Sequence, residues 1–314
     1  MGNIRKAVVD VGSNSLILAV EEFDGQTWHR VQERTAITSL GEGTKSTGLL
    51  GERGMSASLE ALKVFFAEAK ALEAVSVEAA ATMAVRIADN KQDFLDRAAA
   101  QGTPVSILSG DDEAQLGFES VANDPTFSSH SRLTIIDPGG QSTELMTAVR
   151  IEREWQIQFR KSFSVGTLGL RSTILTDEAP EPPAILTASA ALDDLIGLCY
   201  LPNKVGYAIV LGATGTNLVS IREGLTEWQP ERVHGEWLSY EEISRSVGYM
   251  MQLTDAERGQ IKGMEPGREK TIHIGALIVE RFLNATLAPG CAVSVRGWRH
   301  ALLERGLPGT GFPD

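Results

Sequence analysis

Apolar and polar positions along the chain fall into short alternating runs before any helical period appears. AVVDVG from Ala7 and SLILAVEEF from Ser15 flank a brief polar turn, and a more polar run, WHRVQERTAITSL, follows Asp24-Gly25. Period-two alternation broken by Asp-Gly predicts an antiparallel meander. A glycine-rich loop, LGEGTKSTGLLGERG, leads to a helix predicted from about Ser56, on which Leu59, Leu62, Phe65, Phe66 and Ala69 share one face. VSVEAAATMAV reads as a strand, DNKQDFLDRAAAQG as a short helix, PVSILSG as a strand, and GDDEAQLGFESVAN as the start of a helix.

The pattern then restarts. SRLTIIDPGGQSTELMTAV is again strand, turn and strand, and WQIQFRKSFSVGTLGLRS continues the strands. EAPEPPAILTASAALDDLIGLC reads as a proline-marked loop and a helix, and YAIVLGATGTNLVSI as strand, glycine turn and helix. LSYEEISRSVGYMM and REKTIHIGALIVERFLNAT are predicted helices, the first with Ser239 and Glu242 in capping-box spacing. Two halves that begin alike and then add helices predict an α/β duplication. The boundary is expected near Asn123 to Ser131, giving domains 1–124 and 125–314.

The two restarts carry the same turn, D-x-G-x-[NQ]-S. The first runs Asp10, Gly12, Ser13, Asn14, Ser15, and the second Asp137, Gly139, Gly140, Gln141, Ser142. Either turn alone could be an ordinary hairpin loop. Glycines let backbone N–H groups approach an anion, and serine hydroxyls add donors. An ionised aspartate is an acceptor only and repels phosphate unless a divalent cation lies between them. Mg²⁺ suits that arrangement, because it takes one or two carboxylates and completes its shell with phosphate oxygens and water. Two such turns facing each other across an interdomain cleft would grip one phosphate from both sides.

Composition narrows the function classes. At 314 residues, 42% hydrophobic and 22% charged, the chain is long enough for two globular domains, each with its own core. Its formal charge of −12 argues against non-specific nucleic-acid binding, which needs a basic face. No apolar run approaches a membrane span. The first apolar segment is interrupted by Asp10 and Asn14, so it reads as a strand pair and not a signal peptide. Cys199 and Cys291 are far apart and are expected to be reduced, in a cytoplasmic protein. GEGTKST has Thr44 where a P-loop requires glycine, and no G-x-G-x-x-G follows a strand. His29, His130, His234, His273 and His300 lack metal-ligand spacing and read as surface or packing residues. Asp111, Asp112 and Glu113 open a predicted helix, where acids suit the dipole. Glu113 could also serve as a general base for water.

Taken with these pieces, the chain resembles the exopolyphosphatase and guanosine pentaphosphate phosphohydrolase family, in the actin, Hsp70 and sugar-kinase superfold. The likeness covers nearly the whole chain. DVGSNS and IIDPGGQSTEL resemble the family's two phosphate loops, ATMAVR the segment ending in a phosphate-binding arginine, and LSGDDEAQLGF the block holding the catalytic glutamate. VLGATGTNL, HGEWLSYEEI, EPGREKTIHIGALI and VSVRGWRHALL are weaker matches. The resemblance implies two ribonuclease-H-like domains and Mg²⁺-dependent hydrolysis of a terminal phosphoanhydride, with Mn²⁺ as another cation that could serve. It places Glu113 as the base and Arg86 with both turns on the phosphoryl group. The cation falls near Asp10, Asp137 and Glu144. Inorganic polyphosphate is the first substrate expected and guanosine pentaphosphate the second. A superfold kinase and a non-catalytic nucleotide sensor are further alternatives, and a homodimer is compatible with the reading. Chain length implies the two-domain core without the extra C-terminal helical domains of longer relatives. Pro138, Gln141, Ala213 and Lys270 depart from the family pattern, which bears on phosphate affinity and substrate choice.

Overall fold

The computed structural model describes residues 3–197 and 205–305, so Cys199 lies outside the described residues. The chain forms two compact units, one of Met1–Leu116 with Trp298–Asp314 and the other of Gly117–Gly297. The division falls at Leu116/Gly117 and not near Asp124, and the last helix belongs to the first unit.

The first unit is built on β1 (Ile4–Val11), β2 (Ser15–Phe23), β3 (Trp28–Ile37), β4 (Ser76–Ala81) and β5 (Ser106–Ile107), in the order β3-β2-β1-β4-β5. β1, β2 and β3 pair antiparallel, while β4 and β5 run parallel to β1. The Asp24 carboxylate accepts the backbone N–H groups of Gln26 and Thr27 at 2.8 and 2.9 Å, closing the predicted hairpin. Side chains alternate between the faces of a strand. Val9 and Val11 therefore pack with Leu59, Leu62, Phe65 and Ala69 of helix Glu52–Ala71, while Val8 packs with Trp298, Ala301 and Leu303 of helix Trp298–Glu304. Both faces of β1 are thus covered.

The second unit repeats the plan with β6 (Arg132–Pro138), β7 (Thr143–Ile151), β8 (Glu154–Phe163), β9 (Tyr207–Val210), β10 (Trp237–Ser239) and β11 (Gly290–Val293). Its order β10-β11-β9-β6-β7-β8, read backwards from β8, reproduces the first sheet and adds β10 at one edge. This duplicated α/β architecture is that of two ribonuclease-H-like units of the actin-like superfold. Helix Ile272–Thr286 is buried along most of its length at the centre of the second core. Helix Tyr240–Met250 has the capping box expected from Ser239 and Glu242. Among the described residues no helix is long and apolar enough to cross a membrane.

Four expected elements differ. The helix placed at Ser56 begins earlier, at Glu52, and the one read from Arg268 begins at Ile272. TMAV does not extend β4 but enters helix Met83–Ile87. GTLGLRS is no strand: helix Thr167–Thr173 starts there, its first N–H groups donating to carbonyls of a distant turn.

Candidate active site

In the first unit the two functional segments meet because they follow neighbouring parallel strands. β1 and β4 run side by side, with Val11 opposite Ala81, so the turn after β1 lies beside helix Met83–Ile87 after β4. Open α/β sheets bind ligands outside these carboxyl ends. Asp10 is the penultimate residue of β1, and Gly12 N–H donates to the Ser15 carbonyl at 3.0 Å to close the turn. The Asn14 carbonyl accepts from Thr38 and Ser39 at 3.1 and 2.9 Å, and the Ser13 carbonyl accepts from Gly41 at 2.7 Å. Four backbone bonds fix this turn before any ligand arrives. Ser13 and Ser15 are buried. The Asn14 Nδ2 donor is buried with no hydrogen-bond partner, a cost that an anionic acceptor would relieve.

Gly41 shows what the glycine-rich loop does. A methyl there would stand 2.8 Å from Ser13 Cβ and 2.9 Å from Ala84 Cβ. GEGTKST is therefore a buttress, bringing helix Thr44–Thr47 against the first turn and the helix of Arg86. Lys45 on it is half-buried, and burial pushes its ammonium pKa down.

Arg86 and Glu113 come together. Arg86 Nη1 donates to the Leu108 carbonyl at 2.6 Å and lies 3.4 Å from Glu113 Oε2. Arg86 Nη2 rests on Met83 Sδ at 3.3 Å. Glu113 is buried in the first turn of helix Gly110–Ala122, while Asp111 and Asp112 are exposed. Ser109 accepts from Asp112 N–H at 3.1 Å and donates to its carboxylate at 2.6 Å. The dipole-favoured reading thus accounts for Asp112, but Glu113 is buried against a guanidinium instead.

The second unit repeats the turn with different side chains. Gly139 N–H donates to the Ser142 carbonyl at 2.8 Å, as Gly12 does to Ser15. Gly139 and Gly140 carbonyls accept from Thr167 and Leu168 at 3.0 and 2.8 Å. Gly166 abuts this turn as Gly41 abuts the first: a methyl there would lie 2.5 Å from Gln141 N and from the Gly140 carbonyl carbon and oxygen. Gln141, Ser142 and Glu144 are all buried. The register places Asp137 opposite Glu144, and Glu144 opposite Ser162, whose Oγ donates to Glu144 Oε1 at 2.7 Å. In the first unit Asp10 faces Ile17, so only the second turn has two opposed carboxylates. Gly212, at φ +73°, opens helix Gly212–Glu223 beside Asp137; an added Cβ would sit 3.0 Å from Asp137 Oδ1.

Asp10, Gly12, Ser13, Asn14, Ser15, Arg86 and Glu113 thus belong to the first unit, and Asp137, Gly139, Gly140, Gln141, Ser142 and Glu144 to the second. Among the described residues no group of three or more His, Cys, Asp or Glu side chains forms a metal cluster. The opposed Asp137 and Glu144 nonetheless present the hard oxygen donors that suit Mg²⁺. His273 is wholly buried, its pKa pushed down to about 3 mainly by burial, and His29 is exposed. Gly41 and Gly212 lie in GEGTKST and VLGATGTNL, segments quoted from the sequence without a supporting role, while Gly166 and the Ser162 partner were not singled out. Each glycine does follow a strand and precede a helix, a signal available in the sequence.

The Ppx/GppA phosphatase family model matches residues 19–308, and the chain belongs to that family. It is therefore an enzyme of the hydrolase class that acts on phosphorus-containing acid anhydrides. It is 26% identical over 310 residues to exopolyphosphatase 1 of Mycobacterium tuberculosis (strain ATCC 25618 / H37Rv), covering 97% of this chain and 88% of that one. Exopolyphosphatase 2 of the same strain is 24% identical over 293 residues, covering 89% and 90%. The crystal structure of the Aquifex aeolicus Ppx/GppA family member aligns with a TM-score of 0.79 at 25% identity, over 96% of this chain and 97% of that one. An exopolyphosphatase from Cytophaga hutchinsonii gives 0.84 at 22% identity, over 95% and 96%, a likeness of fold.

Proposed function

We propose that this chain removes the terminal phosphate of inorganic polyphosphate. The observation that carries the reading is the contact between Arg86 and Glu113. A phosphoryl oxygen that draws the guanidinium to itself arrives beside the carboxylate that must activate water. Glu113 takes a proton from that water as its oxygen attacks the terminal phosphorus. The bond to the bridging oxygen breaks, and the shortened polyphosphate leaves as the oxyanion. Gly12, Ser13, Asn14, Ser15 and Arg86, with Gly139, Gly140, Gln141 and Ser142, bind the transferred group. Asp137 and Glu144, with Asp10, would hold Mg²⁺ or Mn²⁺, which when bound offsets charge developing on the phosphoryl oxygens. Positioning and electrostatics supply most of the acceleration, as in other phosphoryl transfers. The protein is proposed to act in the cytoplasm.

The test is phosphate release with Mg²⁺ from short polyphosphate, long polyphosphate, guanosine pentaphosphate and ATP. Release from polyphosphate without an added acceptor is the expected result. Preferential release from guanosine pentaphosphate would reassign the substrate. Phosphate appearing on a small molecule only when ATP and that molecule are both present would identify a kinase. Binding without release would identify a sensor.

If both turns act on one phosphoryl group, Asn14→Ala and Gln141→Ala should each slow turnover, and the double variant should depart from additivity by at least ~0.5 kcal/mol. Gln141→Gly, which restores the family's glycine and deletes the amide, is expected to lose activity as well. Full activity in that variant would make Gln141 a tolerated replacement and not a ligand, and additive effects would separate the two turns.

A further inference from the structure

The register of the first sheet gathers acidic side chains on one face. Val8 pairs with Ala19, and Ala19 with Glu33, so these three form one cross-strand row. Asp10 lies two residues beyond Val8 and therefore shares that face. Helix Trp298–Glu304 covers it, with Trp298, Ala301 and Leu303 packed on Val8 and Ala19. The two positions between Trp298 and Ala301 are cationic or can become so. Arg299 Nη2 donates to Glu33 Oε2 at 3.2 Å, and His300 Nε2 lies 3.7 Å from Glu21 Oε1. Arg299 is only 8% exposed, and its buried Nε–H has no hydrogen-bond partner.

We infer that Arg299 is a positioning residue for the first phosphate turn, acting through Asp10. A guanidinium buried on a sheet face must be matched by carboxylates held in fixed geometry. Glu33 supplies one, and Asp10, one step along the same face, supplies the next. Burial opposes the Arg299 charge, but the carboxylates of Glu33, Asp10 and Glu21 outweigh it and raise its pKa. Asp10 immediately precedes Val11 and the turn glycine, so a cation that fixes its carboxylate fixes where the turn begins. The duplicate turn is built otherwise, since Asp137 faces Glu144 across the strand pair. The device also gives a role to the return of a helix from the far end of the sequence to the first unit: it sets a buried cation over the face that carries Asp10.

This inference rests on the first turn binding phosphate, as proposed above. The experiment compares wild type, Arg299→Lys, Asp10→Asn and the double variant. It measures kcat/KM for phosphate release and, independently of turnover, calorimetric binding of inorganic phosphate in the presence of Mg²⁺. Arg299→Lys keeps the charge and loses the planar fork. It is expected to weaken both quantities about 10- to 100-fold, the range in which partners that orient a ligating group act. In the Asp10→Asn background the same substitution is expected to change them less than about twofold, because its target is already gone. Equal losses in both backgrounds, or no loss in either, would overturn the inference. If Arg299→Lys does not fold, Arg299→Gln with Glu33→Gln, which removes one charge of each sign, takes its place against the same Asp10→Asn comparison. Wild-type protein that neither binds phosphate nor releases it would instead count against the proposed function.

Discussion

Replacing Glu113 by glutamine is expected to slow phosphate release by on the order of 10²–10⁴-fold while substrate binding changes little. The substitution keeps the shape of a side chain that is buried at the start of helix Gly110–Ala122. It removes the one property the mechanism demands there, acceptance of a proton from water. Arg86 remains anchored by the Leu108 carbonyl at 2.6 Å, so a phosphoryl group still finds its cation. The amide can still donate or accept near the guanidinium, which protects the local fold. The loss should therefore appear in kcat, with KM and the thermal midpoint close to wild type. Near wild-type turnover would remove Glu113 from the chemistry and favour a binding module.

Much of this site was legible because the duplication repeats a local pattern. The run from a β-branched strand into Asp, Gly, carboxamide and Ser needs only the strand period and turn chemistry, and both turns fall between adjacent antiparallel strands. Glu113 was legible for a second reason: a carboxylate in the first turn of a helix after a strand is either a surface acid or a buried functional one. Its burial against Arg86 favours the second reading, and burial depends on tertiary packing. What escaped was structure held together by distant contacts. TMAV is a short apolar run, and such runs do not distinguish a strand end from one turn of buried helix. GTLGLRS has two glycines and little helix propensity, yet it is helical because Gly139 and Gly140 carbonyls accept its first N–H groups. The return of helix Trp298–Glu304 to the first unit has no local signature at all. Its docking surface is Val8 and Ala19, nearly the full chain length away.

Gly166→Ala is expected to cost about 1–3 kcal/mol of stability and roughly 10²-fold in turnover, the loss that a displacement near 1 Å can cause at a reacting centre. The reason is steric and specific. The new methyl would lie 2.5 Å from the backbone of Gly140 and Gln141, and backbone cannot swing aside as a flexible side chain can. Either the second turn moves or helix Thr167–Thr173 backs away, and the latter breaks the bonds from Thr167 and Leu168 at 3.0 and 2.8 Å. Both outcomes shift the N–H groups and the Ser142 hydroxyl proposed to meet the phosphoryl oxygens. Gly248→Ala is the control. Gly248 lies inside helix Tyr240–Met250 with nothing within 4 Å of an added Cβ, so alanine there should stabilise by about 0.4–1 kcal/mol and leave turnover alone. The thermal midpoint and kcat/KM of both variants, measured side by side, separate a generic glycine effect from a local one. A Gly166→Ala protein with wild-type turnover would mean that the second turn tolerates displacement, and would remove it from the set of groups that hold the transferred phosphate.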